Sequence, residues 1–275
     1  MQPQRPKLGQ NFLVNPTAQA AIADALGDMT HRTVVEIGPG RGAITAILAS
    51  RAQRLIAIEL DRDLAPRLRQ QFADRPSVTI LEQDILTTDL PSLREPGPGD
   101  DKLLVVGNLP YYITSDILLH LFAAHRYIER AVVMIQREVA DRVAASPGTR
   151  DYGLLSATTQ LYARAEKLFT LPPAAFSPPP QVHSTVLRLT MAPRFEELGL
   201  TPTAERPDPV ADFIALLRVG FAQKRKMLAK NLRTAGYDAA AVTAAFESCG
   251  IPPQSRAEQI DLPAMACLFR RVSSR

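Results

Sequence analysis

The chain has 275 residues, of which 46% are apolar and 22% charged, with a formal net charge of +4. That composition belongs to a globular protein with room for a large domain and a smaller companion, and excludes a disordered chain. No apolar run approaches the roughly 18 to 20 residues a membrane span needs, and the opening MQPQRPK has no apolar core behind it to act as a secretion signal. The expected location is therefore cytoplasmic, with no membrane partner.

In chain order, short β-rich runs alternate with longer amphipathic ones. Strands are expected at TVVEI (33–37), RLIAIEL (54–60), SVTILEQ (77–83), KLLVV (102–106), RAVVMIQ (130–136), EKLFTL (166–171) and STVLRL (184–189). Helix-like stretches such as GAITAILASRA and DLAPRLRQQFA separate the early ones. Near-continuous apolar strands interleaved with helices predict an α/β domain whose mostly parallel sheet is covered on both faces. The last two strands have no clear helix between them, which predicts an antiparallel edge.

Residues 192–211, APRFEELGLTPTAERPDPVA, are rich in proline and acidic groups and read as a linker. Beyond it, three amphipathic segments punctuated by Gly or Pro predict a small all-helical domain. The division expected is residues 1–195 for the α/β domain and 208–275 for the helical one. Cys249 and Cys267 form no CxxC pair and stand beside no histidine, so neither a zinc site nor a disulfide is expected.

The positive charge is concentrated. RVGFAQKRKMLAKNLR, from Arg218 to Arg233, carries six basic residues and no acidic one. A polyanion is the natural partner for such a stripe.

At VVEIGPGRGAIT a strand runs into Gly38, Gly40 and Gly42 and then into a helix, the turn that exposes backbone to a ligand. Glu59 ends the next strand about 20 residues on, where a carboxylate can accept from both hydroxyls of a ribose. Asp84 ends the third strand at the same edge. The spacing is G-x-G-x-G, not the dinucleotide pattern, and Glu36 stands two residues before the turn. A phosphate would be poorly served there, whereas a ligand with a ribose, an adenine and a cationic tail would fit. The pattern favours S-adenosylmethionine over a nicotinamide dinucleotide.

GQNFL (9–13), EIGPGRGAIT, IELDRDL (58–64), QDIL (83–86), GNLPYYI (107–113), FSPPPQVHSTVLRL (176–189) and FAQKRKML (221–228) occur in that order. The series resembles the KsgA-type small-subunit ribosomal RNA adenine N6,N6-dimethyltransferases over nearly the whole chain. The resemblance implies a class I methyltransferase with a Rossmann-like sheet, S-adenosylmethionine as donor, S-adenosylhomocysteine as product and no metal. It implies a monomer acting on the RNA of an immature small ribosomal subunit.

It also implies roles. Asn11 and Leu13 would close over the donor, Gly38, Gly40, Glu59, Asp84 and Asn108 would bind it, and NLPY would hold the target amine. There Asn108 and the Leu109 carbonyl would accept from the amine, Pro110 would brace the turn and Tyr111 would stack on the base, with Phe176 as the opposite face. Lys224, Arg225 and Lys226 would contact phosphates, while Arg5 and Lys7 either touch RNA or solubilise the terminus. Gln181, His183, Tyr112 and Met227 depart from residues common in the family, and the four histidines are assigned no chemistry. A large-subunit adenine methyltransferase of the resistance type and a non-catalytic RNA-binding assembly or transcription factor are the alternatives.

Overall fold

The computed structural model describes residues 11–94 and 102–272. Arg5 and Lys7 lie outside the described residues. Among the described residues, nine strands alternate with helices: β1 (Phe12–Leu13), α1 (Pro16–Asp24), β2 (Thr33–Ile37), α2 (Ala43–Leu48), β3 (Arg54–Glu59), α3 (Leu64–Gln71), β4 (Val78–Glu82), β5 (Leu103–Asn108), α4 (Thr114–Ala123) and β6 (Ile128–Gln136). There follow α5 (Arg137–Val143), α6 (Leu154–Tyr162), β7 (Ala163–Leu171), β8 (Phe176–Ser177), β9 (Ser184–Met191), α7 (Pro209–Phe221), α8 (Leu228–Thr234), α9 (Ala239–Ser248) and α10 (Leu262–Arg271).

Two compact units emerge. The first comprises residues 1–140 and 164–191, the second 141–163 and 192–275.

The first unit is built on a seven-stranded sheet in the order β4-β3-β2-β5-β6-β9-β7. Strands β2 to β6 pair in parallel, and β9 runs antiparallel to β6, with Gln136 opposite Ser184. Val34, Val35, Leu55, Ile56, Leu103 and Val105 are fully buried. Strands covered on both faces have no solvent side to mark with polar residues, which is why their sequences run apolar without alternation. The order reverses between β2 and β5, so their carboxyl ends diverge into a crevice of the kind in which open α/β sheets bind ligands. Register brings Ile37, just before the glycine turn, opposite Gly107, just before Asn108. A Cβ at Gly107 would lie 2.8 Å from the Ile37 carbonyl oxygen, so glycine is what lets these two segments approach.

A two-stranded sheet has no counterpart among the expected strands. In it β1 pairs with β8, Leu13 opposite Phe176. Two-residue strands carry no periodicity to read.

The second unit has its own core, in which Ala145, Tyr152, Ala157 and Leu161 pack with Phe213, Leu217, Phe246 and Phe269. It therefore draws on residues 141–163, far upstream of the expected helical segment. The stretch read as a linker is tied down as well. Leu198 and Leu200 are buried in this core, the Phe195 ring meets Tyr162 edge-on at 5.2 Å, and the Ala192 and Arg194 amides donate to the Tyr162 and Leu161 carbonyls. Three apolar side chains spaced through an acidic, proline-rich stretch were enough to anchor it.

Three helices here start in the same way. Asp208, Asp238 and Asp261 each accept from the amide three residues on, at 3.0, 2.7 and 2.8 Å. Each satisfies one of the amides a helix start leaves unpaired. Asp261→Ala is expected to destabilise the protein by about 1 kcal/mol, read as a lowered denaturant midpoint with unchanged slope. Cys249, just past α9, is disulfide-bonded to Cys267 in α10 across a Cα separation of 5.9 Å. The expectation of two unlinked cysteines is thus corrected; sequence spacing could not show that the two helices bring them face to face. Among the described residues, no helix is long and apolar enough to cross a membrane and no group of His, Cys, Asp and Glu could hold a metal ion.

Candidate methyl-donor and adenine site

Three strand ends and the β1 segment converge at the crevice. One cavity of about 120 Å³ is lined by Asn11, Gly38, Gly40, Glu59, Leu60, Asp84, Ile85 and the run Asn108 to Ile113. A second, of about 290 Å³, is lined by Asn11, Leu13, Glu36, Gly38, Gly40, Arg41 and Asn108. Every residue expected to bind the donor lines one or both.

The glycine turn owes its shape to what surrounds it. Gly40 has φ +61°, and a Cβ there would stand 3.0 Å from the Phe12 ring. Any side chain would therefore be strained and would press on the Phe12 ring of β1. Arg41 lies over the other part of that arrangement, its guanidinium 4.4 Å from the Phe12 ring centre. Glu59 is buried, accepting the Gly40 amide at 3.1 Å and the Asp61 amide at 2.9 Å. Burial raises its pKa and those two amides oppose the rise. The carboxylate is thus oriented by backbone before a ligand arrives. Asp84 is held similarly, one oxygen accepting the Leu86 amide at 2.9 Å.

Glu36 is 3% exposed. Burial pushes its pKa up to about 7, with the nearby Glu59 charge adding to the effect and Thr45 opposing it. Yet Oε2 of Glu36 and the Thr45 hydroxyl complete no hydrogen bond among the described residues. An unpartnered carboxyl oxygen beside a second buried carboxylate makes this crevice hospitable to a cation and hostile to a phosphate.

The NLPY segment is fixed on several sides. The Asn108 amide nitrogen donates to the Asn11 carbonyl at 3.0 Å. With the donor end engaged, Oδ1 is the end left to accept. The Leu109 amide donates to the Met134 carbonyl at 3.0 Å, and the Thr114 hydroxyl donates to the Pro110 carbonyl at 3.0 Å. Tyr111 shares a 2.8 Å hydrogen bond with Ser184. Tyr112, whose role the sequence left open, is 64% exposed and belongs to the cavity lining rather than the sheet packing.

Phe176 does not meet its expectation. It is 3% exposed, sits opposite Leu13 in the β1–β8 pair and belongs to the first core, so it offers no face to an incoming base. The apolar environment at the start of β8 claimed the ring. The missed residue is Ser184, whose motif was visible as the last position of QVHS but whose partner was not.

In the second unit, Lys224, Arg225 and Lys226 are exposed on the turn between α7 and α8, with Arg218, Lys230 and Arg233 exposed on the flanking helices. The basic run is therefore a loop with shoulders, not one helix face.

A family model described as ribosomal RNA adenine dimethylase matches residues 1–272. The chain is 60% identical to a ribosomal RNA small subunit methyltransferase A of Acidobacterium capsulatum, over 98% of this chain and 92% of that one. It is 52% identical to the protein of the same name from Koribacter versatilis, over 97% and 93%. Among solved structures, a dimethyladenosine transferase from Plasmodium falciparum superposes with a TM-score of 0.77 at 22% identity, covering 94% of this chain and 95% of that one. The 23S rRNA methyltransferase ErmE gives 0.67 at 27% identity, covering 95% and 99%. Together with the mostly parallel sheet and its antiparallel edge, these matches show that the chain is a methyltransferase belonging to the ribosomal RNA adenine dimethylase family.

Proposed function

We propose that this enzyme adds two methyl groups to the exocyclic amine of adenosines in small-subunit ribosomal RNA, acting as a cytoplasmic monomer on an immature small subunit. The observation that carries this reading is the placement of Asn108, tethered through its nitrogen to Asn11, beside the backbone-oriented carboxylates Glu59 and Asp84 at one switch point. The relatives at 60% and 52% identity are named for the small subunit, whereas the large-subunit enzyme stands at 27%. A non-catalytic factor would have no use for so complete a constellation.

The residues present suit S-adenosylmethionine. Glu59 would take the ribose hydroxyls, Asp84 the adenine amine, and the orphaned Glu36 oxygen the cationic end, with Asn11, Leu13, Gly38 and Gly40 closing the walls. When bound, the donor supplies an electrophilic methyl group. The protein's own part is to present the nitrogen. An adenine amine is a weak nucleophile because its lone pair is delocalised into the ring. Acceptors at Asn108 Oδ1 and the Leu109 carbonyl favour a pyramidal nitrogen with a localised pair and hold it in line, so rate comes from orientation and preorganised dipoles. After the first transfer one N–H remains, and one acceptor still engages it. The released proton leaves to water without a dedicated base. Pro110, with φ −59°, stiffens the turn, and Tyr111 carries the extruded base on its ring.

Labelled donor incubated with immature small or large subunits, followed by digestion, tests the reading. Dimethyladenosine in small-subunit RNA is expected; label only in large-subunit RNA would overturn it.

Phosphate contacts are assigned to Lys224, Arg225 and Lys226, with Arg5 and Lys7 as further candidates. Replacing the three loop residues with Ala is expected to weaken RNA binding and flatten the slope of log K against log salt by about 2. An unchanged slope would make the loop a merely solvated surface.

A further inference from the structure

We propose that Ser184 is a positioning residue for Tyr111, holding the far end of the ring on which the target base stacks. This rests on the functional reading above and adds to it a residue from the antiparallel edge of the sheet.

Ser184 is fully buried at the first position of β9, directly opposite Gln136 of β6. The pairing continues one step further, with the Arg137 amide donating to the His183 carbonyl at 3.0 Å. On its other side the same end of β6 holds the active segment: Met134 faces Asn108 in register and accepts the Leu109 amide. One strand end therefore fixes both the backbone of NLPY and the hydroxyl that meets Tyr111. Tyr111 itself begins a single helical turn, Tyr111–Ile113, whose preceding carbonyl is clamped by Thr114. That clamp sets where the ring begins. The 2.8 Å hydrogen bond to Ser184 sets where it ends. Supported at both ends, the ring axis is fixed along the cavity wall before RNA arrives, and little ordering entropy is lost on stacking.

The arrangement also assigns the phenol. Its hydroxyl is engaged with a buried serine, so Tyr111 serves as a surface and not as an acid or base. A fully buried serine at the start of a β-strand adds little to packing that alanine would lack. Its one distinctive contribution at this position is the bond to Tyr111.

Tyr111→Phe keeps the ring and removes only the hydroxyl; Ser184→Ala removes the partner. The measurement is the dissociation constant of a short single-stranded RNA carrying one 2-aminopurine, read by fluorescence without donor, alongside kcat and KM for methyl transfer. Each variant is expected to bind the fluorescent base about three- to tenfold more weakly, the range of one net hydrogen bond. The double variant is expected to lose no more than either single one, because both remove the same bond. Donor affinity and the melting temperature of Tyr111→Phe should stay at wild-type values, which a merely structural role in the fold would not predict. Unchanged base affinity in the single variants, or losses that multiply in the double, would overturn the assignment. A wild-type protein that methylates no ribosomal RNA would sink the functional reading alone, since the coupling is still read in the binding measurement.

Discussion

Asn108→Ala is expected to lower kcat for methyl transfer by about 10² to 10³, the cost of removing one preorganised acceptor from the reacting atom. RNA affinity should change by less than about twofold if phosphate contacts, proposed for Lys224, Arg225 and Lys226, supply most of it. Two losses combine in this variant. The acceptor for the amine disappears, and so does the 3.0 Å tether that the Asn108 nitrogen makes to the Asn11 carbonyl. Asn108→Asp separates them, since a carboxylate still accepts but faces the Asn11 carbonyl with oxygen against oxygen. It should recover part of the rate while weakening donor binding. Single-turnover rates with saturating RNA, paired with donor titration, distinguish these effects. Full transfer by the alanine variant would remove Asn108 from the chemistry.

The parts of this site that could be placed from sequence are those that successive strand ends carry to one edge of the sheet. Glu59 and Asn108 each end a strand and Asp84 follows one by two residues, so strand periodicity puts all three on one edge. The parts that could not be read are those whose partner is another segment of the chain. Ser184 and Tyr111 are 73 residues apart, and nothing local marks the bond between them. Phe176 has the residue type of a stacking face, yet β1 covers it, and a two-residue strand leaves no pattern to predict that. Cys249 and Cys267 follow the same rule, as do the apolar anchors Leu198 and Leu200, buried in the second unit's core, and Phe195, packed against Tyr162. A long-range pairing becomes visible only when both elements have been placed.

Glu36 should make this protein lose stability as pH rises between about 4.5 and about 7. The sign follows from which state holds the proton. Its carboxyl titrates near 4.5 when exposed and near 7 when folded, so within that window the unfolded chain has released a proton the native one keeps. Below the window both are protonated and there is no penalty; above it the full penalty, about 3 kcal/mol, remains constant. Glu36→Gln removes the titration. Its stability relative to wild type should therefore climb from pH 5 to pH 7 and then level off, in denaturant titrations at fixed salt; a flat difference would refute the assignment. The groups facing this carboxyl explain why such a cost persists. Thr45 opposes the rise without completing a well-formed hydrogen bond, Glu59 repels the charged form, and Arg41, on the wall of the same cavity, has its guanidinium over Phe12. Only a cation brought in by the ligand would favour the ionised form, so donor binding at pH 6 should expel a proton. Calorimetry in two buffers of different ionisation heat should show that release in wild type and none in Glu36→Gln, which ties the unsatisfied oxygen to the ligand rather than to the fold.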